Sequence, residues 1–168
     1  MIRPVLKIPN PILRKKAQPV VEITQDIHRL VGDMKDTMYH EPGVGLAAPQ
    51  IGVSLRVIVY DSPENKEGFQ VLINPQIKKA QGRQKGPEAC LSIPDISGEV
   101  IRAADIEVEG LHLDGQRVSL ALKDFTARIV QHETDHIDGI LFIDRLSLAD
   151  KMFVEKKLKK LRQRAPSL

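Results

Sequence analysis

Gln131-His132-Glu133-Thr134-Asp135-His136 is the stretch on which the reading turns. On an α-helix, residues four apart lie one turn apart on the same face. His132 and His136 can therefore aim ring nitrogens at one ion. Glu133, one step round the helix, reaches a water beside that ion without being a ligand. This is the HExxH pattern of hydrolytic metal sites. Phe125, Ile129 and Val130 just before it indicate a largely buried helix, where two histidines and a glutamate need partners. Asp124 reads as the N-cap, and the helix is expected to end near Asp138, with Gly139 as its stop.

Two histidines need a third ligand. One protease pattern continues with a glycine and then a third histidine. Gly139 is present, but Phe142 stands where that histidine belongs, so this reading fails. Another pattern takes a glutamate from a following helix. Glu155 is available and would make the protein a zinc endopeptidase, yet it sits in a basic run that reads as a solvated helix. Cys90, far upstream, is the remaining candidate. A thiolate is a strong soft ligand, and coordination accounts for a lone cysteine in a polar, glycine-flanked segment.

Working outward, Ile27, Leu30, Val31, Met34 and Met38 recur at helical spacing after Thr24, an N-cap residue type. They predict an amphipathic helix from Gln25 to about His40, ended by Pro42 and Gly43. The prolines of residues 1–20 favour extended or turn backbone. Gly43 to Gly52 is apolar, glycine-rich and too broken for a helix. Arg56–Tyr60 and Val71–Asn74 read as strands, with a polar loop over Pro63–Gly68. Residues 80–99 read as loop. Alternation returns over Asp105–Leu122, with a hairpin turning on Asp114-Gly115 as a two-residue turn. Ser147-Leu148-Ala149-Asp150 resembles a capping box that opens a basic terminal helix with a stripe of Met152, Val154 or Glu155, Leu158 and Leu161. Helix, strands and two more helices, with no repeat or linker, predict one α+β domain over residues 1–168, with antiparallel or mixed sheets around the HExxH helix.

At 168 residues, 42% hydrophobic and 28% charged, the chain has the composition of a folded domain. No apolar run is long enough to span a membrane. No secretory h-region is evident, and one cysteine cannot form an internal disulfide, so a reducing compartment is expected: the cytosol, or an organelle after removal of a transit segment. A net charge of +3 is too mild to argue for DNA or RNA by itself.

Three motifs in order, Gly43-Val44-Gly45-Leu46-Ala47-Ala48-Pro49-Gln50, Glu88-Ala89-Cys90-Leu91-Ser92 and Gln131 to His136, resemble those of peptide deformylases. Pro11-Ile12-Leu13-Arg14, Pro94 with Val100 and Arg102, and Leu141-Phe142-Ile143-Asp144 extend the resemblance over nearly the whole chain. It implies removal of the N-formyl group from the starting methionine of new proteins, giving formate and a free amine. The implied ligands are Cys90, His132 and His136. The implied ion is Fe²⁺ in the cell, replaced by Zn²⁺ or Ni²⁺ in preparations. Ala89 departs from the family's usual glycine, and is expected to be harmless provided its φ is negative.

Glu133 is the expected general base and then acid. The Gln50 amide and the Leu91 backbone N–H are the expected oxyanion donors. Gly43, Val44 and Gly45 are expected to offer a backbone edge to an extended peptide, and Val44, Phe125 and Ile129 to wall the methionine pocket. Glu88, counted among the substrate-side residues, is also expected to pair with Arg102 and stiffen the cysteine loop. Asp135 reads as an acceptor for a ligand histidine or as an exposed helix residue. Lys151, Lys156, Lys157, Lys159, Lys160, Arg162 and Arg164 read as a solvated face. By resemblance they also read as a surface that docks on the ribosome. The partners expected are formylated nascent chains, with no membrane and no direct DNA contact.

Overall fold

The amphipathic stripe forms helix α1 over Gln25–His40, the predicted span. Its apolar residues pack with Leu46, Val57, Val59 and Ile73 in one core cluster. Thr24 occupies the N-cap position, but its side chain makes no capping bond. The computed structural model describes residues 1–164, so the last four positions of the domain expected over 1–168 lie outside the described residues.

The glycine-rich segment after α1 is a short strand, β1 (Gly45–Ala47), followed by a 3-10 turn over Ala48–Ile51. Then come β2 (Val57–Tyr60), β3 (Gln70–Gln81), β4 (Gln84–Cys90), β5 (Ile93–Arg102), β6 (Asp105–Leu111), β7 (Arg117–Lys123), α2 (Asp124–Ile137) and α3 (Leu148–Arg162). A five-stranded sheet has the order β1-β2-β3-β6-β7, and β4 and β5 form a separate two-stranded sheet. The strand pairings are antiparallel. The α+β class and the central position of the HExxH helix are as expected.

Four readings need correction. Residues 80–99 are mostly the β4–β5 hairpin rather than a loop. Pro87, Pro94 and the glycines hide it, yet both strands of a two-stranded sheet are edges, where proline is tolerated. β3 runs on from Asn74 to Gln81, because a polar, largely exposed continuation still pairs with β6 across two irregularities. The β6–β7 loop has three residues, not two: the His112 N–H donates to the Gln116 carbonyl at 2.9 Å and the Gly115 N–H to the His112 carbonyl at 3.0 Å. Gly115, at φ +85°, supplies the left-handed residue of that turn. Asp124 is the first helical residue rather than the cap, because β7 leads into α2 without a linker and the chain turns at Asp124 (φ +49°).

The stop of α2 is as read. Gly139 has φ +74°, its N–H donates to the His136 carbonyl, and Ile140 N–H donates to the Asp135 carbonyl. That pair of bonds is the Schellman arrangement. On α3, Ser147 Oγ accepts from Asp150 N at 3.1 Å. The buried stripe is Val154, Leu158 and Leu161, while Met152 is exposed, because the packed face follows i, i+4, i+7 from Val154.

Candidate metal centre

α2 places His132, Glu133 and His136 in the interior. A shift of register between Ala89 and Cys90 at the end of β4 breaks the ladder there, as bulges beside sites do. Cys90, His132 and His136 each bring one ligand atom within 4.8 Å of the others, the one such cluster among the described residues. Cys90 Sγ lies 3.2 Å from His136 Nε2. His132 Nδ1 lies 2.8 Å from Glu88 Oε1, which orients the ring with its other nitrogen free for the thiol side. Phe142, which excluded a third histidine, stacks on the His132 ring with centroids 6.3 Å apart. Glu155 does not join the cluster: it is 42% exposed on α3 and pairs with Arg162 at 3.3 Å.

The donors fit a divalent cation. Burial drives the His136 pKa well below its ordinary value, which keeps that ring neutral, and its buried Nδ1 has no hydrogen-bond partner among the described residues. Burial also opposes a charge on His132, but the nearby Cys90 thiol and the Glu88 carboxylate hydrogen-bonded to it outweigh this and raise its pKa to about 10. A cation held by these donors would displace a proton from His132, since metal binding needs neutral imidazoles and an ionised thiol. A thiolate with two imidazoles suits borderline-soft dications.

Glu133 is buried and its Oε2 has no hydrogen-bond partner among the described residues. Burial pushes its pKa up to about 7, near the value that suits a general base in neutral solution. A Cβ on Gly45 would lie 2.6 Å from Glu133 Oε1 and 2.9 Å from Ile129 Cγ2, so the glycine here makes room for the carboxylate. Gln50 is buried with its amide oriented: Oε1 accepts from Ala47 N–H at 2.9 Å, and Nε2 donates to Ser92 Oγ at 3.2 Å and to Cys90 Sγ at 3.6 Å. Among the described residues β1 pairs only with β2, which leaves its other edge free there. Beside it opens a cleft of about 700 Å³ lined by Gly43, Val44, Phe125, Ile129, Leu91 and Glu133, among others.

Glu88 is among the residues that line this cleft, and its carboxylate is held by arginines and a histidine. Arg102 donates to it twice, at 2.8 and 2.9 Å, and Arg128 donates at 2.6 Å. Burial alone would raise the Glu88 pKa, but Arg102 and His132 hold it well below the usual carboxylate range. The expected Glu88–Arg102 pair is thus present within a larger network. Asp135 matches neither of its readings: it is buried, and its carboxylate accepts from Arg102 and Arg145 rather than from a histidine. Ala89 is exposed and is not among the residues of positive φ, so it carries no backbone strain. Arg128 and Arg145 were missed; the one signal for Arg128 was a cation flanked by Ala127 and Ile129 on a buried helix.

Arg102→Ala is expected to remove a guanidinium shared by two buried carboxylates. The loss should be about 3 kcal/mol of folding stability, read as a lower urea midpoint, together with weaker metal retention.

The sequence matches the profile of the polypeptide deformylase family over residues 2–152. It is 51% identical over 141 residues to the peptide deformylase of Syntrophomonas wolfei, covering 84% of this chain and 91% of that one. It is 43% identical to that of Acidobacterium capsulatum, covering 97% of both. Among solved structures, peptide deformylase from Thermus thermophilus superposes with a TM-score of 0.89 at 41% identity, covering 95% of both chains. The enzyme from Legionella pneumophila gives 0.88 at 40% identity, covering 99% of this chain and 100% of that one. By sequence and by fold alike, the chain belongs to the peptide deformylase family, metal-dependent hydrolases that remove the N-formyl group from newly made polypeptides.

Proposed function

We propose that this chain deformylates nascent polypeptides with Cys90, His132 and His136 holding one divalent cation, Fe²⁺ in the cell and replaceable by Zn²⁺ or Ni²⁺. The observation that carries the reading is the meeting of these three donors beside Glu133 at the cleft. When bound, the cation supplies Lewis-acid polarisation and makes water acidic enough to act near neutral pH. Glu133 takes the proton of the attacking water and returns it to the leaving nitrogen. A C–O bond forms at the formyl carbon, the C–N bond breaks, and formate leaves with a free amine. The Gln50 amide, held by Ala47, and the Leu91 N–H are the donors for the developing oxyanion.

The free edge of β1 from Gly45, with the Gly43–Val44 segment that leads into it, accepts the peptide by main-chain hydrogen bonds, which do not depend on its sequence. Val44, Phe125 and Ile129 wall the methionine side chain. Zinc- or iron-loaded protein is expected to release formate from a formyl-methionyl peptide in step with its metal content. Fully loaded protein that releases none sinks the reading.

The outer face of α3 is the surface for a ribosome. Its apolar stripe is buried, and Lys156, Lys157, Lys159, Lys160 and Arg162 are exposed. Binding to purified ribosomes should weaken steeply with salt, as phosphate contacts do; affinity indifferent to ionic strength counts against it. A lone thiol ligand suits a reducing cytoplasm.

A further inference from the structure

The donors of the metal centre stand on different parts of the fold. Cys90 packs against the cluster that joins β5, the 3-10 turn Phe142–Arg145 and α3. The apolar residues of α2, Ala127, Ile129 and Val130, belong to the cluster beneath the five-stranded sheet. Polar groups join the two parts. Arg128 leaves α2 one turn before His132 and is only 5% exposed. Its Nη1 donates to Glu88 Oε2 at 2.6 Å and to the Val100 carbonyl at 3.0 Å, and its Nη2 donates to the Gln84 carbonyl at 3.1 Å. The acceptors lie on both strands of the hairpin, Gln84 and Glu88 on β4 and Val100 on β5. Cys90 ends β4 two residues beyond Glu88. Gly86 lies where the guanidinium passes: a Cβ there would come within 3.3 Å of Arg128 Nη2. Arg102 already satisfies the Glu88 carboxylate with two bonds, so Arg128 is not needed to balance that charge. What it adds is a rigid fork reaching both strands, a geometry a lysine cannot reproduce.

Resting on the assignment of Cys90 as third ligand, we propose that Arg128 is a positioning residue: it pins the β4–β5 hairpin to α2 and thereby sets the reach of the Cys90 thiolate to the two histidines.

The test uses cobalt(II)-loaded protein, whose thiolate-to-metal charge-transfer absorption reports the Cys90 bond directly, and the rate of cobalt loss to excess EDTA. Arg128→Met is expected to weaken the absorption and to speed release roughly tenfold to a hundredfold, the range for lost ligand-supporting contacts. Arg128→Lys should recover only part of the loss. Gly86→Ala, which crowds the guanidinium without replacing it, should move both readouts in the same direction. A role in folding alone would lower the urea midpoint and leave the absorption of the folded protein intact. An Arg128→Met protein with the parent absorption, losing cobalt within about twofold of the parent rate, overturns the proposal. If that variant does not fold, parent behaviour in Gly86→Ala overturns it instead. A parent protein without the absorption sinks the Cys90 assignment, and this inference with it, which separates that failure from the failure of Arg128 alone.

Discussion

Cys90→Ala is expected to abolish stoichiometric metal binding and, with it, formate release. Two histidines on one helix offer only two donors, and in the proposed assignment the thiolate is the third, which leaves the fourth position open for water. Loss of the ion removes several kcal/mol of transition-state stabilisation, so the rate should fall by roughly a thousandfold or more. Metal analysis of the dialysed protein, paired with a formate assay, reads both effects. Folding should be kept, since Cys90 is only half-buried at the margin of its apolar cluster. Glu155→Ala is the matched control and should change neither quantity, because that carboxylate faces solvent on α3. Parent metal content in the Cys90 variant, with loss in the Glu155 variant, would reverse the assignment.

Glu133→Gln is expected to keep the metal and lose about 10² to 10⁴ of the turnover rate, the span attributed to a positioned general base. The substitution preserves volume beside Gly45 and removes only the ability to carry a proton. Burial sets the Glu133 pKa at about 7, and a cation beside it favours the ionised form and draws the value down. The base is the ionised form. The parent rate should therefore be at its plateau above that pKa and fall as the pH drops through it, and Glu133→Gln should flatten this acid limb. Gly45→Ala should reproduce much of the defect without touching the carboxylate chemically, since its Cβ would displace Glu133 by overlap at 2.6 Å. An unchanged acid limb in Glu133→Gln would assign the proton transfer to another group.

Several elements were legible because their signals are local. The spans of α1 and α2 follow from apolar spacing and from a glycine whose left-handed backbone closes a Schellman turn. β2 is three β-branched residues followed by a tyrosine, buried throughout. The β4–β5 hairpin was not legible. Its strands carry prolines and glycines, and their buried positions are few on β4 and irregularly spaced on β5, so its pairing is visible only with both strands in place. The far half of β3 was hidden for the same reason: exposed lysines and glutamines leave no mark of the partner strand.

For the site, spacing along the chain was enough to set His132 and His136 on one helix face with Glu133 one step round from them and, with the family motifs, to name Cys90 and Gln50. Helical periodicity is a short-range property, so those relations hold wherever the helix packs. The environment that tunes the site is long-range. Glu88 is separated by β5, β6 and β7 from the histidine it orients, and its two arginines come from β5 and α2. The room for Glu133 comes from a glycine on β1, far back in the chain. Contacts of that kind depend on how the sheets and α2 close around one another, and a buried charge reveals its partner only once the water around it has gone.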